Sequence, residues 1–360
     1  MLAEPPVAAR LEDAALVIAA GAEERDRLPA FPTGALDALE NVGALALSVP
    51  DPAGARPVSF AEEWAAVRRV SRADGSVGRI YDGHLNAVER LDAHASEPLR
   101  SEELAAVAAG RRRLGVWGAD PVPGEGDPAR LVERGGRRTV EGVKVFCSGA
   151  GGLDRALVLV RGDHPGPPLL AYVDVTERAR VDRAWYRGAG MRASESHRVV
   201  FEGAEVLTVL GEPGELAREP WLGRDAVRTA ATWAGVADSG LEAALGALAV
   251  LPETDELRAL AAGRMLAARG TIDAWLERAA ARADRAPGAS LGALSIHLRE
   301  EVARAARLIL DEGARATGSR PFAVAGALDR AHRDLGIFLL QHRLDPLVAR
   351  TGRAAIEARR

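Results

Sequence analysis

Hydrophobic positions in the first hundred residues recur at steps of three and four. Leu11, Ala14, Ala15 and Ile18 form the stripe of a first amphipathic helix. A second helix runs through Leu36, Leu39 and Val42, with Thr33 as its predicted cap and Gly43 as its stop. Phe60, Trp64, Val67 and Val70 make the next stripe, and Ile80, His84, Leu85, Val88 and Leu91 the one after. Ser101 opens a predicted capping box ahead of Leu104 and Val107. His84 falls on or beside an apolar stripe, which predicts a half-buried ring hydrogen-bonded to a neighbour, with a place in a substrate channel as the alternative.

From Leu114 the period changes to that of strands. L-G-V-W-G-A-D is followed by a proline and glycine loop and then by short β-rich runs: Leu131–Val132, Thr139–Phe146, Ala156–Val160, Leu169–Val175, Val199–Phe201 and Val206–Leu210. Short strands punctuated by Gly and Pro predict an antiparallel sandwich or barrel. A composition shift at Leu216 to Gly223 marks a second boundary. Beyond it the chain is rich in Ala, Leu and Arg and reads as long helical segments at about 224–251, 253–285, 290–316 and 323–350. Pro252, Pro287 and Thr317–Pro321 separate them. In the last segment Val324, Leu328, Ala331, Leu335, Phe338 and His342 share one face. The predicted class is therefore α+β, mostly α: an N-terminal helical domain (1–112), a middle antiparallel β-sandwich or barrel (113–218) and a C-terminal four-helix bundle (219–360).

Composition narrows the function classes. At 360 residues the chain fits two or three domains, and 48% hydrophobic with 27% charged residues belongs to a soluble protein. A net charge of −4 with interspersed signs creates no field for nucleic acid or an anionic membrane. Cys147 is the single cysteine, which excludes a disulfide framework and a cysteine-based metal cage and suits a reducing cytoplasm. No apolar run reaches the roughly 18 residues of a membrane span. Glu4, Glu12 and Asp13 interrupt the N-terminus, against a secretory signal. No metal-ligand spacing occurs among the seven histidines, so no metal site is expected. A dinucleotide fingerprint after a strand and a P-loop are likewise missing. G-A-S-L-G at Gly288–Gly292 matches a nucleophile elbow as a string, but no strand precedes it and Ser290 reads as a helix cap.

One stretch suggests chemistry. In G-V-K-V-F-C-S-G-A-G-G, Gly142 to Gly152, strand alternation puts Lys144, Phe146 and Ser148 in file on one face, followed by small residues that let the backbone approach a ligand closely. A ring, a hydroxyl and exposed backbone N–H groups suit a planar heteroaromatic. An ordinary strand ending in a glycine turn is the alternative.

K-V-F-C-S-G also matches a family signature: lysine, any residue, Trp or Phe, any residue, Thr or Ser. Three further islands come in the same family's order and spacing: Phe31–Pro50, Gly190–Val206 as a hairpin, and R-A-H-R-D-L at Arg330–Leu335 on a last helix. On these the chain resembles the acyl-CoA dehydrogenase superfamily over nearly its whole length. The resemblance implies that Phe146 lies against a flavin ring and that Ser148 reaches its reactive nitrogen, with Trp117 and Gly118 on a neighbouring strand. It implies FAD as cofactor, with FMN as the alternative, and puts Thr317 and Gly318 in the place of an adenine-contacting turn. It further implies a homodimer or homotetramer assembled through the C-terminal helices.

The expected activity is α,β-dehydrogenation of an acyl thioester or similarly activated substrate, with or without coenzyme A and with the electron acceptor open. The alternatives are a flavin-dependent monooxygenase of the same fold and a non-catalytic binding or assembly member. Departures from the family keep them in play. Where many relatives supply a catalytic glutamate after the R-D pair, this chain offers His342, and no carboxylate follows until Asp345. A histidine can act as the base because its ordinary pKa of about 6.5 lies near neutrality. A packing role for His342 is the alternative. The family's pyrophosphate-binding pattern has no counterpart between Leu251 and Arg269, and its glycine-serine-aspartate turn is replaced by Gly124–Pro128.

Overall fold

The computed structural model describes residues 7–250, 255–341 and 343–360. Six helices open the chain: α1 (Val7–Ala20), α2 (Ala22–Arg27), α3 (Thr33–Asn41), α4 (Phe60–Ala73), α5 (Gly75–His94) and α6 (Leu99–Ala108). The predicted stripes of α1, α4 and α5 are buried. The caps differ from expectation. Pro32 precedes α3, so Thr33 is its first helical residue and makes no cap. Ser101 lies inside α6, its hydroxyl donating to Pro98 O, because the chain enters the helix at Leu99. The capping box belongs instead to Ser59 and Glu62 at the start of α4. Gly43 does end its helix, in the left-handed conformation.

α5 is buried on every side. Such a helix is expected to be apolar all round, yet Asp82, His84, Asn86, Glu89 and Arg90 are all inside. Each therefore requires a partner from a packed neighbour. Glu89 meets Arg228 at 2.9 Å. His84 is fully rather than half buried, its Nε2 donating to Leu45 O at 2.8 Å and its Nδ1 accepting from the Leu114 N–H at 3.0 Å. Burial, only partly offset by the Leu45 bond, lowers its pKa to about 4.

The middle of the chain forms β1 (Leu114–Trp117), β2 (Arg130–Arg134), β3 (Arg137–Cys147), β4 (Arg155–Val160), β5 (Leu169–Asp174), β6 (Ala179–Asp182) and β7 (His197–Leu210). Their order is β1-β4-β5-β7-β3-β2, with β6 also paired to β7. All pairings are antiparallel except β1 with β4, which run parallel. The two runs predicted around 199 and 206 are one strand, because Gly203 (φ 90) sits at a bulge instead of a turn. The N-terminal half of β7 pairs with β3 and β6 and its C-terminal half with β5, so one long strand joins both halves of the sheet.

The C-terminal part contains α7 (Trp221–Ala249), α8 (Glu256–Arg285), α9 (Gly292–Thr317), α10 (Arg320–Ala323), α11 (Ala327–Phe338) and α12 (Asp345–Glu357). The fourth predicted helix is thus three. Pro321 starts the short α10, Ala325 in a left-handed conformation separates it from α11, and Pro346 opens α12. The predicted break at Pro252 lies outside the described residues. No helix among the described residues is long and apolar enough to cross a membrane.

Candidate active site

A cavity of about 550 Å³ opens where the end of the sheet meets α5, α7 and the end of α11. Gly118 and Ala119 after β1, with Phe146 and Ser148 at the end of β3, form one wall. Tyr186, Met191, Ser194 and Ser196, from the segment between β6 and β7, form the second. Ile337, Phe338 and Arg343 close the side opposite. Arg79 and Asn86 of α5 and Asp225 of α7 make a polar floor.

A bulge prepares the first wall. Lys144 pairs with Val199 and Cys147 with His197, three steps on β3 against two on β7, and Phe146 takes up the extra residue at φ 52. The predicted file of Lys144, Phe146 and Ser148 is therefore broken. Lys144 turns inward and donates to Asp120 at 2.7 Å and to Gly118 O at 3.1 Å. Burial lowers its pKa against the opposing pull of Asp120. Phe146 is thrown outward, 46% exposed, and meets the Trp185 ring edge-on at 4.9 Å. A left-handed conformation at a bulky residue is strained, and such residues cluster at functional positions.

Trp117 does not line the cavity. It is 1% exposed and lies behind the wall, its Nε1 donating to Ser148 O at 2.9 Å. Ser148 is held from two sides, since its hydroxyl also lies 2.9 Å from that of Ser196. Gly118 lines the cavity, with its carbonyl pinned by Lys144. Thr317 and Gly318 end α9 away from this cavity. The Thr317 hydroxyl is used within its own helix, donating to Gly313 O at 2.8 Å, and Gly318 (φ 72) is the C-cap. α11 ends at Phe338. His342 lies outside the described residues. Its neighbours Gln341 and Arg343 both line the cavity.

The floor is electrostatically organised. The Asn86 amide donates to Asp225 at 2.7 Å and leaves its own oxygen buried and unpartnered, and Asp225 lies 3.9 Å from Arg228. Asp82 sits beneath Arg79 at 2.8 Å; complete burial outweighs that cation and pushes its carboxyl up to about 6. Arg343 pairs with no carboxylate among the described residues and is the free cation at the rim. Sequence reasoning missed Arg79, Asn86, Tyr186, Ser194, Ser196 and Asp225. The serines carried one usable signal, S-E-S directly before a β run, which repeats small hydroxyl residues at strand spacing.

Residues 12–111 match the family model described as acyl-CoA dehydrogenase, N-terminal domain. Dibenzothiophene monooxygenase of Rhodococcus erythropolis is 26% identical over 213 residues, 56% of this chain and 48% of the relative. The match thus spans about half the length of the curated relatives. Two solved structures share the fold nearly end to end. FMN-bound TdsC from Paenibacillus sp. A11-2 superposes with a TM-score of 0.85 at 21% identity, covering 96% of each chain. The methanesulfinate monooxygenase MsuC from Pseudomonas fluorescens gives 0.85 at 22% identity, covering 99% of this chain and 97% of its own.

Proposed function

We infer, from the match of residues 12–111 to the acyl-CoA dehydrogenase N-terminal domain and from the shared fold, that the chain is a flavin-dependent monooxygenase acting on a small organic substrate. The carrying observation is the cavity of about 550 Å³ whose one wall brings together Phe146, Ser148 and the backbone at Gly118, a surface suited to a planar ring. The relatives favour the oxygenase over the acyl-thioester dehydrogenase, since monooxygenases are what the aligned half of the chain matches. We also divide the chain into domains at 112/113 and 218/219.

FMN suits the site better than FAD. A single phosphate finds the unpaired guanidinium of Arg343 at the rim, whereas the Thr317–Gly318 turn expected to meet an adenine lies elsewhere in the same chain. When bound and reduced, the flavin supplies two electrons and activates dioxygen. The protein's part is to orient and to exclude water. Phe146 and Phe338 offer ring faces and edges, Ser148 a hydroxyl, and Asn86 and Asp225 acceptors for a polar edge of the substrate. The reductant is unassigned. Self-association fits the apolar side chains that α8 leaves exposed at Leu257, Leu260 and Leu266.

The test is anaerobic titration of the protein with oxidised and with photoreduced FMN, followed by oxygen and an aromatic heterocycle. One labelled oxygen atom from dioxygen in the product supports the reading. Bleaching of bound flavin by an acyl-CoA without oxygen restores the dehydrogenase, and a protein that binds neither flavin form is the non-catalytic member.

A further inference from the structure

Three hydroxyls form a row that links two walls of the cavity. Ser148 Oγ lies 2.9 Å from Ser196 Oγ, Ser196 Oγ lies 2.7 Å from Ser194 Oγ, and Ser194 Oγ lies 2.7 Å from Met191 O. A hydroxyl has one proton to donate, and a carbonyl oxygen can only accept. The Met191 carbonyl at the end therefore sets the direction of the whole row. Ser194 gives its proton to Met191 and must accept from Ser196, and Ser196, its proton spent, must accept from Ser148. The Ser148 proton points away from the cavity, and only oxygen lone pairs face the ligand.

The ends of the row are fixed. Ser148 is anchored through its carbonyl by Trp117, and the Ser194 carbonyl accepts from the Gly149 N–H at 2.7 Å. Ser194 and Ser196 are buried from bulk solvent and form part of the cavity's second wall.

We propose that Ser194 and Ser196 are positioning residues that hold the Ser148 hydroxyl as an acceptor toward the cavity, and that the site thereby binds reduced flavin more tightly than oxidised flavin. The proposal rests on the flavin reading given above. The reactive ring nitrogen of oxidised flavin carries a lone pair and would face the lone pairs of Ser148, whereas in reduced flavin the same nitrogen carries a hydrogen and donates. One hydrogen bond made in one state and replaced by lone-pair opposition in the other changes affinity by about tenfold. A tenfold preference for the reduced form corresponds to a midpoint potential about 30 mV above that of free flavin.

The experiment measures dissociation constants of wild-type protein, Ser196→Ala and Ser194→Ala for oxidised and reduced FMN under anaerobic conditions, with the midpoint potential of the bound flavin by spectroelectrochemistry. Wild type should prefer reduced FMN about tenfold. Either alanine frees a proton to turn back along the row, so that Ser148 becomes a donor to the cavity. The preference should then vanish or reverse, and the potential should fall by about 30 mV or more. Ser196→Thr, which keeps the hydroxyl, should retain the preference and serves if an alanine variant does not fold. Equal affinities in wild type, or a preference unchanged in both alanine variants, overturns the proposal while leaving the flavin reading intact. Binding of neither form overturns the flavin reading and the proposal with it.

Discussion

The carboxylate of Asp334 on α11 accepts a hydrogen bond from the backbone N–H of Met191, in the segment between β6 and β7. Met191 is left-handed at φ 53, and three residues beyond it begin the serines that face the cavity. Arg333, next along the helix, donates to Ala189 O and pairs with Asp26 at 2.6 Å and Asp329 at 2.9 Å. The R-D pair thus hangs one cavity wall from the C-terminal helices and joins it to α2.

Burial lifts the Asp334 carboxyl to about 7, with Asp74 and Asp26 adding to it and the Met191 N–H opposing. A carboxyl raised in the folded state contributes stability that is fully present below its ordinary value near 4 and is lost as pH rises through 7. Asp334→Asn keeps an acceptor for Met191 and removes the titration. Melting temperatures at pH 5 and pH 8 should therefore differ less in the variant than in wild type, and an equal difference would show that Asp334 does not titrate there.

Gly190 packs directly on this helix, since a Cβ there would lie 1.9 Å from the carbonyl oxygen of Arg333 and 2.6 Å from the Asp334 nitrogen. Backbone cannot yield as a flexible side chain can. Gly190→Ala should cost about 1–3 kcal/mol and weaken FMN binding, read from urea unfolding and flavin fluorescence. A variant melting with the wild type would mean that the contact is looser than described.

Arg228 on α7 is fully buried between Glu63 of α4 and Glu89 of α5, at 2.8 and 2.9 Å. Burial alone would raise the Glu63 carboxyl, but Arg228, Arg56 and the Ser48 hydroxyl outweigh it and hold it at about 2. Arg228→Leu removes the buried cation that two carboxylates share, leaving Glu63 with Arg56 and Glu89 with Arg224, and should cost about 3–5 kcal/mol at neutral pH. Glu63 stabilises the fold above its ordinary value near 4.5 and loses that contribution as pH falls through 2. Acid titrations of stability should therefore show a steeper loss in wild type than in Arg228→Leu over that window.

His84, whose burial depresses it to about 4, acts at milder acidity. Its contribution is complete above its ordinary value of 6.5 and disappears as pH falls through 4. A proton NMR titration should find its ring neutral at pH 5.5; a midpoint near 6.5 would put the ring in water.

His342→Ala tests the remaining candidate from the sequence. Flanked by the cavity-lining Gln341 and Arg343, a proton-handling His342 should lower turnover by roughly 100-fold or more when removed, with FMN affinity within twofold of wild type. Wild-type turnover would leave it as packing.

Periodicity alone determined the order of helices, strands and helices, because burial of α1, α4, α5 and the long C-terminal helices follows local spacing of apolar side chains. It also singled out Phe146 and Ser148, which the fold does bring to the same cavity. Local pattern could not carry the rest. Gly203 reads as a turn and is a bulge, since only pairing with both β3 and β5 decides whether a glycine in a β run folds back or continues. The outward throw of Phe146 comes from one extra residue against β7, a register fact with no sequence period. Asn86, Asp225 and the Ser194–Ser196 pair lie far apart in sequence, and Asn86 and Asp225 look like ordinary polar positions until α5, α7 and the segment before β7 meet around one cavity. The direction of the hydroxyl row is more remote still: it depends on a carbonyl at Met191 that Asp334, 143 residues later, holds in place through the neighbouring N–H.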